Sequence, residues 1–253
     1  MSMKLVMLGT TGYHPNDLRD TACYALPEIG VVFDAGTGMH RLRSVLATDT
    51  LDIFLSHAHL DHVVGLTFLL GALYDKEMKR VTVHGDGRKL AAIREHLFSA
   101  ELFPVAPTFE MRPLDLQNPR PIEVPGDGQV TYFPLEHPGG SLGFRLDAAG
   151  RSLAYVTDTT ARPDAPYVDK IGGVNVLLHE CYFGDDMPAE FAEKTGHSQT
   201  TPVAEVAQAA KVGRLVLTHL NPAINDVDPV GLATARRTFP NTELAEDGKS
   251  LEF

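Results

Sequence analysis

Cysteine is scarce in this chain: Cys23 and Cys181 are the two thiols in 253 residues. Their separation demands no bridge, which excludes a disulfide-stapled secreted scaffold as the default and suits a reducing cytosol. Positive charge is also short, with 22 Lys and Arg against 33 Asp and Glu and a formal net charge of −11. A protein that grips nucleic acid through its phosphates needs clustered cations to displace counterions. The densest basic stretches are Arg41-Leu42-Arg43, Lys76 to Arg80, Arg88-Lys89 and Arg236-Arg237, all short enough to read as solvated helix faces. Long apolar runs are missing too, so nothing approaches the roughly 20 residues that cross a bilayer. The opening Met1–Gly9 has too short an apolar run, and no small-residue cleavage site, for a signal peptide. These absences point to a cytoplasmic protein with no membrane partner.

What is present fits an ordinary globular α/β enzyme, one domain spanning residues 1–253. Hydrophobic residues make up 43% and charged residues 22%, enough for a sizeable core. The patterning predicts strands near 4–8, 30–34, 51–56, 80–84, 129–136, 142–147, 152–157, 174–179, 213–218, 242–245 and 250–253. Helices are predicted near 38–47, 61–75, 87–98, 200–211 and 229–237. The proline- and glycine-rich stretch over 101–128 reads as irregular connection with short strands. Hydrophobic alternation suggests sheets packed face to face with helices outside.

Residues 56–62 carry the chemistry: Ser-His-Ala-His-Leu-Asp-His. His57, His59, Asp61 and His62 place three imidazoles and a carboxylate within six positions, and these are ligands that zinc and related divalent ions prefer. The apolar run Leu51–Leu55 precedes them and a longer one from Val63 follows. The cluster therefore belongs on a strand-to-helix loop, where a rigid frame can aim several donors at one point. A polar turn has no structural need for four such groups. His14, His40, His84 and His96 have no convincing partners in sequence and are read as non-ligands.

His-x-His-x-Asp-His is the signature of the metallo-β-lactamase superfamily, and the chain resembles that superfamily from end to end. The resemblance implies a four-layer αβ/βα sandwich with metals at one edge of two sheets. It also implies further ligands at strand ends, and His137, Asp158 and His219 each follow a strand-like run in the right order. His57, His59 and His137 would hold one divalent ion; Asp61, His62 and His219 a second; Asp158 would bridge them. Zinc suits five imidazoles and two carboxylates best, and ligand type alone leaves Mn²⁺ or Fe²⁺ open.

The second half narrows the resemblance. His179-Glu180-Cys181-Tyr182 and Gly196-His197-Ser198-Gln199-Thr200 resemble the His-Glu-Ala-Thr and His-Ser-Thr motifs of ribonuclease Z, the phosphodiesterase that trims precursor tRNA. Pro15-Asn16-Asp17-Leu18-Arg19-Asp20-Thr21 resembles that group's early Pro-Thr-x-x-Arg-Asn segment with substitutions. By that resemblance a hydroxide shared by the metals would attack phosphorus and Asp61 could take its proton. His197, oriented by Glu180, would protonate the leaving group; His179 is left structural. Ser198 or Thr200 would equally serve as a helix cap.

The chain departs from ribonuclease Z in one respect. Only 20 residues separate His137 from Asp158, room for a strand, a turn and a strand but not for the arm that grips tRNA. The expected substrate is thus a small phosphodiester, a cyclic phosphate or a short RNA, with tRNA in doubt. A carboxylic ester, thioester or lactam hydrolase is the alternative, and a non-catalytic metal-binding sensor the third reading. Family analogy points to a homodimer.

Overall fold

The computed structural model describes residues 2–253. Strand alternation sets the layers. In β1 (Lys4–Gly9), Leu5 and Met7 turn to one side while Val6 and Leu8 turn to the other, and all four are buried. A strand buried on both faces needs cover on both. Here a second sheet covers one side and helices the other, so three cores separate four layers. The central core joins Leu5, Met7, Tyr24, Phe33 and Phe54 of one sheet to Phe144, Tyr155, Leu178 and Val216 of the other. The outer cores pack Val6, Val32, Met39 and Leu69 on one flank and Val156, Leu177, Val203 and Ala204 on the opposite flank. Each Val, Leu, Met or Phe among these removed from water contributes about 1.5–3 kcal/mol.

The first sheet takes β1, β2 (Cys23–Leu26), β3 (Val31–Phe33), β4 (Thr50–Phe54), β5 (Arg80–Gly85) and β6 (Glu110–Pro113) in sequence order. The second takes β7 (Ile122–Val124), β8 (Gly128–Leu135), β9 (Ser141–Ala148), β10 (Arg151–Val156), β11 (Val176–Glu180), β12 (Arg214–Thr218) and β13 (Thr242–Leu244). Strand β14 (Ser250–Glu252) returns to pair antiparallel with β1. Each sheet starts as an antiparallel meander and becomes parallel, from β3 in the first and from β10 in the second. Strands β10, β11 and β12 therefore release the chain at one edge. So does β8, which runs two antiparallel steps away from β10. That edge is where ligands gather in α/β sheets.

Several helices are shorter than the patterning predicts. The expected helix at 61–75 is α1 (Leu60–Val63), a 3₁₀ stretch (Val64–Phe68) and α2 (Leu69–Ala72). The cause is local: the His62 carbonyl accepts from Ala35 N–H and the Gly65 N–H donates to the Ala35 carbonyl, so ladder bonds are diverted to a neighbouring loop. A Cβ at Gly65 would lie 2.1 Å from the Gly36 carbonyl oxygen, which is why glycine occupies that crossing. The predicted 87–98 helix is α3 (Gly87–Ala92) continued by a π turn, and the predicted 38–47 helix is 3₁₀ over Thr37–Ser44. Helix α4 (Tyr167–Lys170) and α5 (Ala189–Thr195) lie outside the sequence expectation, α6 (Thr200–Ala209) matches it, and α7 (Leu232–Thr238) starts late. Cys23 and Cys181 are both buried and free. Among the described residues no helix is long and apolar enough to cross a membrane.

Candidate metal centre

The loop after β4 brings His57 and His62 into the interior, leaves His59 open to solvent, and starts α1 at Leu60. Across from it, the ends of β8, β10 and β12 deliver His137, Asp158 and His219. Asp158 (φ 49°) and His219 (φ 52°) adopt left-handed backbone conformations that non-glycine residues avoid, strain that clusters at working sites. Gly12 makes room for the His219 ring, since a Cβ there would lie 2.2 Å from its Cε1.

All seven residues expected from the sequence meet. Donor atoms of His57, His59, His137 and Asp158 lie within 4.8 Å of one another, as do those of Asp61, His62 and His219. Asp158 faces both groups. Its Oδ2 stands 3.5 Å from Nε2 of both His57 and His137, and its Oδ1 stands 3.3 Å from Nε2 of His62 and 3.2 Å from that of His219.

The polar atoms fit a cation. Nε2 of His57 and of His137 is buried and has no hydrogen-bond partner. Leaving such a nitrogen unsatisfied costs about 1–3 kcal/mol, so two of them converging on one carboxylate oxygen mark a missing ligand. Burial, reinforced by neighbouring His62, pushes the His57 imidazole well below its usual pKa, and burial lowers His59 and His137 as well. The neutral ring is the form that binds metal. Burial opposes charge on Asp61 and Asp158 too, yet the surrounding histidines hold both well below the usual carboxylate range. His62 goes the other way: burial is outweighed by Asp61, Asp158 and Asp34. The cluster therefore asks for positive charge.

Asp34 was not singled out in the sequence, and it anchors the cluster from behind. It closes β3 at φ 56°, is fully buried, and its Oδ2 accepts from His62 Nδ1 at 2.7 Å, from Ser56 Oγ at 2.7 Å and from the Tyr155 hydroxyl at 2.7 Å. Its hold on Nδ1 turns His62 Nε2 toward the donors, the way a carboxylate fixes a ligand tautomer. The signal was available, because a lone carboxylate ending an apolar run also marked Asp158.

Beside the cluster, the buried Glu180 accepts from Thr159 N–H at 2.9 Å, Ser198 N–H at 3.2 Å and His197 Nδ1 at 3.2 Å. The His197 ring lies against Tyr182, with centroids 4.5 Å apart and planes at 16°, and one of its nitrogens is within 4.8 Å of donors on Asp158 and His219. Burial disfavours the charged ring, but Glu180 outweighs it and raises the His197 pKa. The Tyr182 phenol is pushed up to about 12, first by burial and then by Asp61, Glu180, Asp158 and Tyr13. His179 has both ring nitrogens occupied, by the Glu180 carbonyl at 2.7 Å and the Tyr167 hydroxyl at 3.0 Å. His84 pairs with Asp52 at 2.9 Å and His40 with Asp20 at 3.1 Å.

Comparison with known proteins agrees with this architecture. A family model described as "Beta-lactamase superfamily domain" matches residues 30–220. Ribonuclease Z of Acaryochloris marina is 28% identical over 309 aligned positions, covering 97% of this chain and 96% of that protein. The metallo-beta-lactamase fold protein YhfI of Bacillus subtilis superposes over the full length of both chains with a TM-score of 0.83 at 18% identity. Human tRNase Z, short form, superposes over 98% of each chain with a TM-score of 0.78 at 22% identity. With its matched segment spanning both sheets and all seven donors, the chain belongs to the beta-lactamase superfamily.

Proposed function

We propose that this chain is a metal-dependent hydrolase, a phosphodiesterase of the ribonuclease Z-like kind, with two divalent ions at the edge of its sheets. The observation that carries the reading is the division of Asp158, whose two oxygens face two separate donor groups. His57, His59 and His137 would hold one ion, Asp61, His62 and His219 the other, with Asp158 between them; the orphaned nitrogens support that assignment. Bound there, divalent ions, with zinc favoured by the imidazole-rich set, supply Lewis acidity and lower the pKa of water from its bulk value to about 7.

The protein's own groups do the rest. Glu180 holds His197 by Nδ1 and raises its pKa, so the opposite nitrogen carries a proton toward a leaving oxygen. By the same reading Asp61 would take the proton that the attacking water gives up. Asp34 keeps His62 in one tautomer.

Substrate size follows from the hairpin after His137. Strands β9 and β10 are joined at Ala149-Gly150, leaving no arm between His137 and Asp158. The alignment with ribonuclease Z runs over 309 positions while this chain has 253, so that relative carries segments lacking here. A cavity of ≈ 300 Å³ beside His137 is lined by Glu136, Pro138, Thr160, Arg162, Glu193 and Gly196; it is the missing arm that favours a small phosphodiester, a cyclic phosphate or a short RNA over a tRNA. Two buried, unbridged thiols fit a reducing compartment, and we place the enzyme in the cytoplasm.

The test is turnover of bis(p-nitrophenyl) phosphate with metal content measured on the same sample, set beside a thioester and nitrocefin. Phosphodiester turnover with about two ions per chain is expected. Hydrolysis of the carbonyl substrates alone would move the assignment to an ester, thioester or lactam hydrolase. Stable metal without turnover of any substrate would leave a sensor.

A further inference from the structure

The loop after β1 contains a backbone feature that the proposed chemistry does not use. Tyr13 has φ 60°, in the left-handed region, and the His14 N–H donates to the Gly12 carbonyl at 2.7 Å across it. A hydrogen bond from i to i+2 over a residue with positive φ is the hallmark of the classic γ-turn, the rare and strained kind. Glycine meets such a conformation without strain, whereas a bulky aromatic residue is a genuine outlier there.

Packing does not repay the strain. The Tyr13 side chain is 74% exposed, and its one aromatic neighbour is His14, with centroids 5.2 Å apart. The turn is nonetheless firmly held. Tyr13 N–H donates to Asp61 Oδ2 at 2.6 Å, and Gly12 N–H donates to the Leu220 carbonyl at 3.0 Å, next to His219. The backbone that carries this exposed ring is thus fixed at the rim of the metal centre by bonds to one donor residue and to the neighbour of another. A strained, anchored and unburied residue at the mouth of a site is where function is inferred from geometry.

We propose that Tyr13 is a specificity-determining residue whose ring stacks on a nucleobase, so that the preferred substrate carries a nucleoside next to the phosphorus. The inference rests on the phosphodiesterase reading above and narrows its substrate class. Every base presents a π-face, so stacking on an aromatic platform tolerates sequence while rejecting substrates that lack an aromatic ring. A short nucleotide diester satisfies this, and a phosphodiester of sugar or glycerol alone does not.

The experiment is calorimetric titration of the zinc-loaded chain with uridine 5′-monophosphate and with ribose 5-phosphate, which has the same anion and no base. The wild type should bind the nucleotide about tenfold tighter. Tyr13→Gly fits the positive φ and should fold, which a thermal melt checks. It should bring the ratio close to one, while Tyr13→Phe should keep it. A ratio near one in the wild type, or one that survives Tyr13→Gly, overturns the stacking role. If bis(p-nitrophenyl) phosphate is still turned over in that case, the phosphodiesterase reading stands without it. A zinc-loaded wild type that binds neither ligand removes the stacking role, and the phosphodiesterase reading falls with it only if bis(p-nitrophenyl) phosphate is not turned over.

Discussion

The half of the chain built on β1–β6 places four donors within His57–His62, on one turn after β4. The half built on β7–β13 places single donors at the ends of β8, β10 and β12, tens of residues apart, and relies on parallel register to align them. The halves also differ in how they use an aspartate at matching places. Asp34 and Asp158 each end the first strand of a parallel run with positive φ. Asp34 accepts hydrogen bonds from protein on both oxygens, whereas Asp158 turns both of its own toward imidazoles. One half concentrates its donors in a local motif, and the other distributes them through topology. Joining the two depends on a carboxylate whose Oδ1 also accepts from the Thr157 hydroxyl at 2.6 Å but whose Oδ2 takes no hydrogen bond from protein among the described residues.

The largest effect should come from that carboxylate. Asp158→Ala should lose both ions and turnover together, whereas Asp61→Ala, on the local turn, should lose one ion. Metal analysis by mass spectrometry would break the comparison if Asp158→Ala kept two ions. Next is His197→Ala, expected to lower kcat by about 10²–10⁴-fold with metal content intact; unchanged turnover would remove its acid role. Asp34→Ala should weaken metal binding about 10–100-fold, because His62 loses the partner that sets its tautomer. Competition with a chelator measures this, and an unchanged affinity would make Asp34 a purely structural counterpart of Asp158.

The smallest effect lies away from the centre. Asp52 is buried on β4; burial would raise its pKa, but Arg80, through two bonds of 2.5 and 2.6 Å, and His84 hold it below the ordinary 3.8. A depressed folded-state pKa contributes stability that is present above the unfolded value and is lost as pH falls through the folded one. Asp52→Asn should therefore lower stability at neutral pH and flatten the acid limb below about pH 4. Denaturant melts across pH 2–7 test the sign.

The local half was the more legible in sequence. His57, His59, Asp61 and His62 announced a metal site by spacing alone, while His137, Asp158 and His219 became candidates because each closes an apolar run and their order matched a family. Strand β2 escaped because Cys23–Leu26 is four buried residues with no alternation to read. The break between α1 and α2 escaped because it depends on Ala35, a residue almost thirty positions earlier, taking over two helix bonds. Asp34 escaped as a partner because its role is set by Tyr155, on the opposite sheet. Tyr13 escaped because backbone handedness leaves no mark on a side chain's identity.

Among the hydrogen bonds that cross between the sheets beneath the centre are Tyr155 to Asp34 and Tyr24 with Thr218, and neither involves a donor to metal. The floor of the site is tied before any ion arrives. Stripping with a chelator should then yield an empty, refillable enzyme rather than an unfolded chain. With the vessel already shaped and imidazole a ligand for several divalent ions, metal availability would join ligand type and geometry in deciding the occupant.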